Sequence, residues 1–184
     1  MEKSINNKLK IGFSIGDFNG IGPEILLKAF YNKNLFEVCV PIVFSSRYIL
    51  DYYKDKFSID IDINDQNNNI KENQINCFSN EKFDSNILPG RVNMDAGRYA
   101  ESSLRESIKY FKEGLIDSLI TLPISKINIQ SKTFQFPGHT EFLESEFTNE
   151  KSMMVMYSKD MIIGFVTGHV PLTEVHNYIN EIKI

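Results

Sequence analysis

Apolar residues in the first half of the chain alternate between a strand rhythm and a helix rhythm. Residues 10–15 (KIGFSI) form a short apolar run suited to a buried strand, followed by GDFNGIGPE (16–24) and a helical pattern over 23–31. Pro23 suits the first helical position, where its missing N–H costs no intrahelical bond. Residues 38–44 (VCVPIVF) read as a second strand, weakened by Pro41, which cannot donate to a sheet ladder. Ser45 and Ser46 lead into a helix predicted to end near Lys56. From Ser58 to Asn80 the pattern turns polar, and DINDQNNNIKENQ favours turns. Short strands separated by a surface loop, with no candidate chemistry, are predicted there.

Pro89-Gly90 marks a turn before a long amphipathic pattern over 93–114. Ala96, Ala100, Leu104, Ile108 and Phe111 keep helical spacing and are expected to face the core, with Gly114 as the helix stop. A strand over 119–122 closes at Pro123. Residues 153–157 (MMVMY) and 161–166 (MIIGFV) predict two more strands, and 171–184 a helix with Leu172, Val175 and Ile179 on one face. Strands alternating with helices predict an α/β fold with a mixed sheet. A domain change is expected near Pro123, giving a first α/β domain over 1–122 and the start of a second, dimerisation domain over 123–184.

Composition narrows the function classes. With 42% hydrophobic and 24% charged residues, the 184-residue chain is ordinary for a folded protein. A net charge of −4 supplies no basic field for nucleic acid or an acidic membrane surface. Cys39 and Cys77, the only cysteines, lack metal-ligand spacing and read as structural thiols of a reducing compartment. The N-terminal residues have no apolar signal core and no run is long enough to span a bilayer, so cytoplasm is the expected location.

Four segments are candidates for chemistry. GDFNGIGPE places three glycines between a strand and a helix, as a structural turn or as an anion site built from backbone N–H groups. Its spacing is neither a Walker loop nor the dinucleotide fingerprint. TLPISK (121–126) puts Lys126 on a turn after a strand, as a cation for phosphate or carboxylate or as a surface lysine. FPGHTEF (136–142) gathers His139, Thr140 and Glu141 after a Pro-Gly turn, expected at a loop tip. TGHVPL (167–172) carries His169, whose neutral imidazole is a candidate metal ligand, although one histidine does not make a metal site. His176, the third and last histidine, is expected to face solvent.

Taken in order with PGRVNMDAGRYA and the MMVMY strand, these segments resemble the 4-hydroxythreonine-4-phosphate dehydrogenase family from about Lys10 onward. The resemblance implies a fold similar to isocitrate and isopropylmalate dehydrogenases, two α/β domains around a cleft, here incomplete. It implies homodimers and NAD-dependent oxidation and decarboxylation of 4-phosphooxy-L-threonine to 3-amino-2-oxopropyl phosphate, on the route to pyridoxal phosphate. A divalent metal (zinc, magnesium or cobalt) is implied as Lewis acid. By position, His139 and Thr140 match the family's substrate-binding pair and His169 a metal-binding histidine. Lys126 is a candidate phosphate or substrate contact, and Asp17 is read as structural. No catalytic or NAD-contacting residue is assigned.

Departures from the family pattern are equally specific. Segments resembling NPHAGE and YHDQG, with two further metal-ligand histidines, are absent, as are the downstream substrate-binding Lys, Asn and Arg. Phe18-Asn19 stands where many members have Pro-Ala, and Ser125 where Asn is frequent. The chain also stops inside a helical pattern. The expectation is a fragment of a longer enzyme, poorly stable and without useful activity alone; half of a split enzyme and a shortened protein that kept binding are the alternatives. A four-carbon sugar-acid phosphate dehydrogenase of the same family is the rival activity, and a catalytically inactive binding fragment the rival role. A phosphate-dependent acyltransferase, which shares the broad fold, is not favoured by the GHTE or TGHVPL segments.

Overall fold

A computed structural model describes residues 8–65, 69–79, 82–147, 153–168 and 170–179. Five parallel strands form one sheet in the order β3-β4-β2-β1-β5. They are β1 (Leu9–Ser14), β2 (Cys39–Phe44), β3 (Ile63–Asn64), β4 (Ile75–Phe78) and β5 (Ser118–Thr121). The helices between them are α1 (Gly22–Tyr31), α2 (Arg47–Lys56) and α3 (Met94–Lys112). By contacts the chain divides into two compact units, 1–137 and 138–184.

The sheet is sealed by alternation along its strands. On β2, Cys39 and Val43 join the cluster formed with Leu26, Leu27, Ile49 and Leu50 of α1 and α2. Ile42 and Phe44 point the other way, to Phe78, Ile116 and Tyr110. Pro41 is accommodated because the β4 ladder begins only at Ile42, while the Pro41 carbonyl accepts from the Asn76 side chain at 3.2 Å. A residue's N and C=O lie on the same side of a strand, so the missing donor falls where no partner strand asks for it. The polar 58–80 stretch holds a hub the sequence did not announce. Asn76 is fully buried on β4, where its Oδ1 accepts from Asn64 Nδ2 and from the Lys71 N–H.

Helix ends follow local chemistry. The Ser46 hydroxyl caps α2 by accepting from the Tyr48 N–H, and Asn93 caps α3 by accepting from the Asp95 N–H. Ala96, Ala100, Leu104 and Ile108 face inward as expected. Phe111 does not: it is 38% exposed, and the last turn of α3 instead presents Tyr110 to Phe44, ring centroids 5.0 Å apart. The expected mixed sheet is also corrected, because all five strands run parallel and the antiparallel pair is separate.

The second unit contains α4 (His139–Glu146), the ribbon of β6 (Met154–Tyr157) with β7 (Ile162–Phe165), and α5 (Val175–Tyr178) after a 3-10 turn. The single helix expected over 171–184 is thus broken. Leu172 is 89% exposed rather than part of an inward face, and 180–184 lie outside the described residues. No described helix is long and apolar enough to cross a membrane.

Candidate functional site

The strand order creates a switch point. From β1 the chain proceeds to β2 on one side, and β5 later adds to the other side of β1. In open α/β sheets, ligands bind outside the carboxyl ends of the strands at that point. Here the loops leaving it are GDFNGIG after β1 and LPISK after β5.

The first loop is bound up within the chain. Gly16 has φ 71°, and a Cβ there would lie 2.2 Å from the Pro123 carbonyl oxygen, so glycine alone permits this close approach. The Asp17 N–H donates to Pro123 O at 2.9 Å, Asn19 N–H to Asp17 Oδ1 at 2.8 Å, and Gly20 N–H to Asp17 O at 2.9 Å. Asn19 in turn accepts from Leu88 N–H on its side chain and from Gly90 N–H on its carbonyl. Three N–H groups of the turn are therefore already used. Of the two readings of GDFNGIGPE, the structural turn is the one this geometry favours.

The second loop is held at both ends and open in the middle. Asn128, 2% exposed, donates through Nδ2 to Asp17 Oδ2 at 2.8 Å and to Asn93 O at 2.9 Å. A Cβ on Gly97 of α3 would sit 1.8 Å from the Asn128 carbonyl oxygen, so α3 and this loop meet backbone to backbone. Lys126 lies between the two anchors and is exposed. Asn128 and Asn93 were not singled out from the sequence. A glycine inside the strong helical pattern of α3 was the available signal, since such a glycine marks close backbone approach.

Beyond this loop, 130–136 is fastened to α3. Ser131 Oγ donates to the buried Glu101 carboxylate at 3.0 Å and accepts from the Phe134 N–H at 2.9 Å. Arg105 bonds Glu101 Oε1 through Nε at 2.9 Å and Thr133 O through a terminal nitrogen at 2.7 Å. Phe134, in this stretch, is fully buried and packs edge-on against Phe136.

Within the second unit, His139 and Thr140 open α4. The expected loop tip is corrected to a first helical turn: Gly138 is the extended N-cap, Glu141 complements the helix N-terminus, and Phe142 is buried. His139 is half-buried and Thr140 exposed. His139 Nε2 is buried without a partner, and burial pushes the imidazole below its ordinary pKa of 6.5. At neutral pH the ring is neutral, with one nitrogen able to donate and the other to accept. His169 lies outside the described residues, and His176 is exposed. Among the described residues no group of three or more His, Cys, Asp or Glu is placed to hold a metal. Cys39 and Cys77 are buried free thiols.

A parallel α/β sheet with polar loops at its switch point defines an open-sheet α/β architecture. The chain spans 97% of itself and 55% of a solved structure of a 4-hydroxythreonine-4-phosphate dehydrogenase from Burkholderia phymatum, with TM-score 0.86 and 20% identity, a likeness of fold. It is 33% identical over 181 residues to the 4-hydroxythreonine-4-phosphate dehydrogenase of Bacteroides thetaiotaomicron, covering 95% of this chain and 49% of that protein. It is 27% identical over 185 residues to a protein of Oceanobacillus iheyensis provisionally described as a D-threonate 4-phosphate dehydrogenase, covering 98% and 56%. The family model "Pyridoxal phosphate biosynthetic protein PdxA" matches residues 37–184. The chain belongs to the PdxA family, and it spans about half the length of the curated relatives it matches.

Proposed function

We propose that this chain supplies the first half of an NAD-dependent dehydrogenase that oxidises and decarboxylates 4-phosphooxy-L-threonine to 3-amino-2-oxopropyl phosphate, for pyridoxal phosphate synthesis. The observation that carries the reading is the relatedness to the Bacteroides thetaiotaomicron dehydrogenase across nearly the whole chain. His139 and Thr140 bind the polar substrate: the neutral imidazole, with its unpartnered Nε2, offers one hydrogen bond, and the exposed hydroxyl another. Lys126, exposed on the loop after β5, contacts the phosphate as a point charge. Such a contact suits a phosphorylated substrate of a protein with net charge −4, because attraction must come from local cations.

NAD accepts the hydride when bound, and no residue of this chain is assigned to hold it. His169 is proposed as a metal ligand on the resemblance alone; the described residues hold no metal-binding group, and no step is derived through a metal. A first α/β domain over 1–122 and the start of a second, dimerisation domain over 123–184 belong to the same proposal. A homodimer in the cytoplasm belongs to the same proposal.

The second reading, a four-carbon sugar-acid phosphate dehydrogenase, is favoured by the Oceanobacillus iheyensis relative. The test is to join residues 1–184 to the C-terminal half of the Bacteroides thetaiotaomicron enzyme and follow NADH formation, with divalent metal supplied. Faster turnover of 4-phosphooxy-L-threonine than of D-threonate 4-phosphate is expected. The reverse order supports the second reading. No turnover of either, with phosphorylated ligand still bound, supports the inactive binding role.

A further inference from the structure

We infer that Asp17 is a positioning residue for Lys126: its backbone and its carboxylate grip the two ends of the loop that carries this lysine. The inference rests on the reading of Lys126 as a phosphate contact and adds the residue that makes the contact possible.

Asp17 touches the loop twice. Its N–H holds Pro123 O at 2.9 Å where the loop leaves β5, and its Oδ2 accepts from Asn128 Nδ2 at 2.8 Å where the loop meets α3. Lys126 lies between these anchors and is the exposed cation of the span. A loop tied at both ends by one residue has lost most of its freedom before any ligand arrives. A flexible lysine on such a mount pays less ordering entropy when it contacts phosphate.

The choice of a carboxylate is informative. Asp17 is 6% exposed, and none of the ion pairs between described residues includes it. Burying an acidic group without a cation is costly, and for closing a turn an asparagine would ordinarily do. Here it would not. Oδ1 must accept from the Asn19 N–H, and Oδ2 must accept from Asn128 Nδ2. Asn128 cannot reverse its amide, because the same Nδ2 also donates to Asn93 O. Two acceptors on one short side chain are therefore required at position 17, and an amide would set one nitrogen donor against another. Two orphaned buried atoms flank the clasp, Asn19 Nδ2 and Asn128 Oδ1. The arrangement thus keeps Asn128 in place at the expense of leaving its own acceptor unpaired, as expected where placement of the loop outweighs complete local satisfaction.

The test uses the 184-residue chain and inorganic phosphate as probe, with affinity read by titration calorimetry or NMR. Lys126→Ala is expected to weaken phosphate binding about tenfold, the loss of one charge-assisted contact. Asp17→Asn is expected to weaken it by a similar factor, and to have no further effect in the Lys126→Ala background, since coupled residues are non-additive. Amide exchange over 124–128 should rise in Asp17→Asn while that of β2 and α2 stays unchanged. If Asp17→Asn folds poorly, Asn128→Ala cuts the same tie from the other side and must give the same non-additivity. Full loss with Lys126→Ala and none with either clasp variant overturns the positioning role and leaves the ligand reading standing. No loss with Lys126→Ala overturns both. Equal losses from Asp17→Asn with and without Lys126 mark a general structural role and also overturn the inference.

Discussion

The two units of this chain solve the problem of burying apolar surface with unequal success. In the first, Ile15, Leu27, Val43, Ile49, Leu50, Ile75, Ala96 and Leu104 are all fully buried, because helices cover both faces of a five-stranded sheet. In the second, every residue of β6 and β7 is exposed, including Met156 at 58% and Ile162 at 67%. A two-stranded ribbon has two faces and too few neighbours to cover either, so it is marginal in water on its own. Burial in this molecule is concentrated in the sheet and helices of the first unit. The unit that carries His139 and Thr140 is expected to be the softer one.

The widest contrast comes from truncating one large apolar residue in each unit, buried in the first and exposed in the second. Leu50→Ala on α2 is expected to cost about 2–5 kcal/mol in urea unfolding, as transfer energy and a cavity term add. Ile162→Ala on β7 is expected to stay within about 0.5 kcal/mol. Equal costs would break the comparison. Next in size is Gly97→Ala. The added Cβ meets backbone, Asn128 O at 1.8 Å, so α3 and the 123–131 loop must separate. A loss of about 1–3 kcal/mol is expected, typical of overpacking, against the usual small gain of Gly→Ala in a helix. Thermal melting of the variant decides between the two signs.

Legibility in the sequence divided along a different line. Elements with a continuous apolar run or a periodic apolar face could be read directly: β1, α1, α2, the inward face of α3 and the β6–β7 pair stand within a residue or two of their expected places. What could not be read depended on partners distant in the chain. Asp17 and Asn128 are 111 residues apart, and nothing in the spacing of either predicts their bond. Asn76 sits in a stretch whose polarity signals a surface loop, yet its buried side chain bonds the backbone of Pro41 on β2 and of Lys71 in the loop before β4. The tail failed for a different reason. Leu172, Val175 and Ile179 keep helical spacing, but periodicity without a surface to pack against does not make a helix. His139 and Thr140 were proposed as substrate contacts through resemblance, whereas their place in a first helical turn was not expected.

Alkaline titration probes the first unit. Burial pushes the Cys77 thiol from 9.0 up to about 12, where its S–H donates to Ser45 O. Burial likewise pushes Tyr53, which donates to Phe18 O, from 10.0 up to about 12. Both groups have folded values above their unfolded ones. Their contribution is fully present below pH 9 and is lost as pH rises toward 12. The slope is expected to reach about 1.4 kcal/mol per pH unit for each proton. Cys77→Ala should remove one proton's share of that slope, measured by urea unfolding from pH 8 to 11.

The acid limb belongs to the second unit and is the smaller effect. His139 is displaced the other way, below 6.5, by burial. The unfolded chain therefore takes up its proton before the folded one does. Stability from this group is whole above pH 6.5 and declines as pH falls through the window down to the folded value, by at most about 1.4 kcal/mol per pH unit. His139→Asn should flatten this limb while leaving the alkaline one unchanged, read from hydrogen exchange of α4 amides between pH 5 and 7.5. If instead α4 protection is indifferent to pH in the wild-type chain, His139 is solvated in both states. The unpartnered Nε2 would then be no reserve of hydrogen-bonding capacity for a ligand.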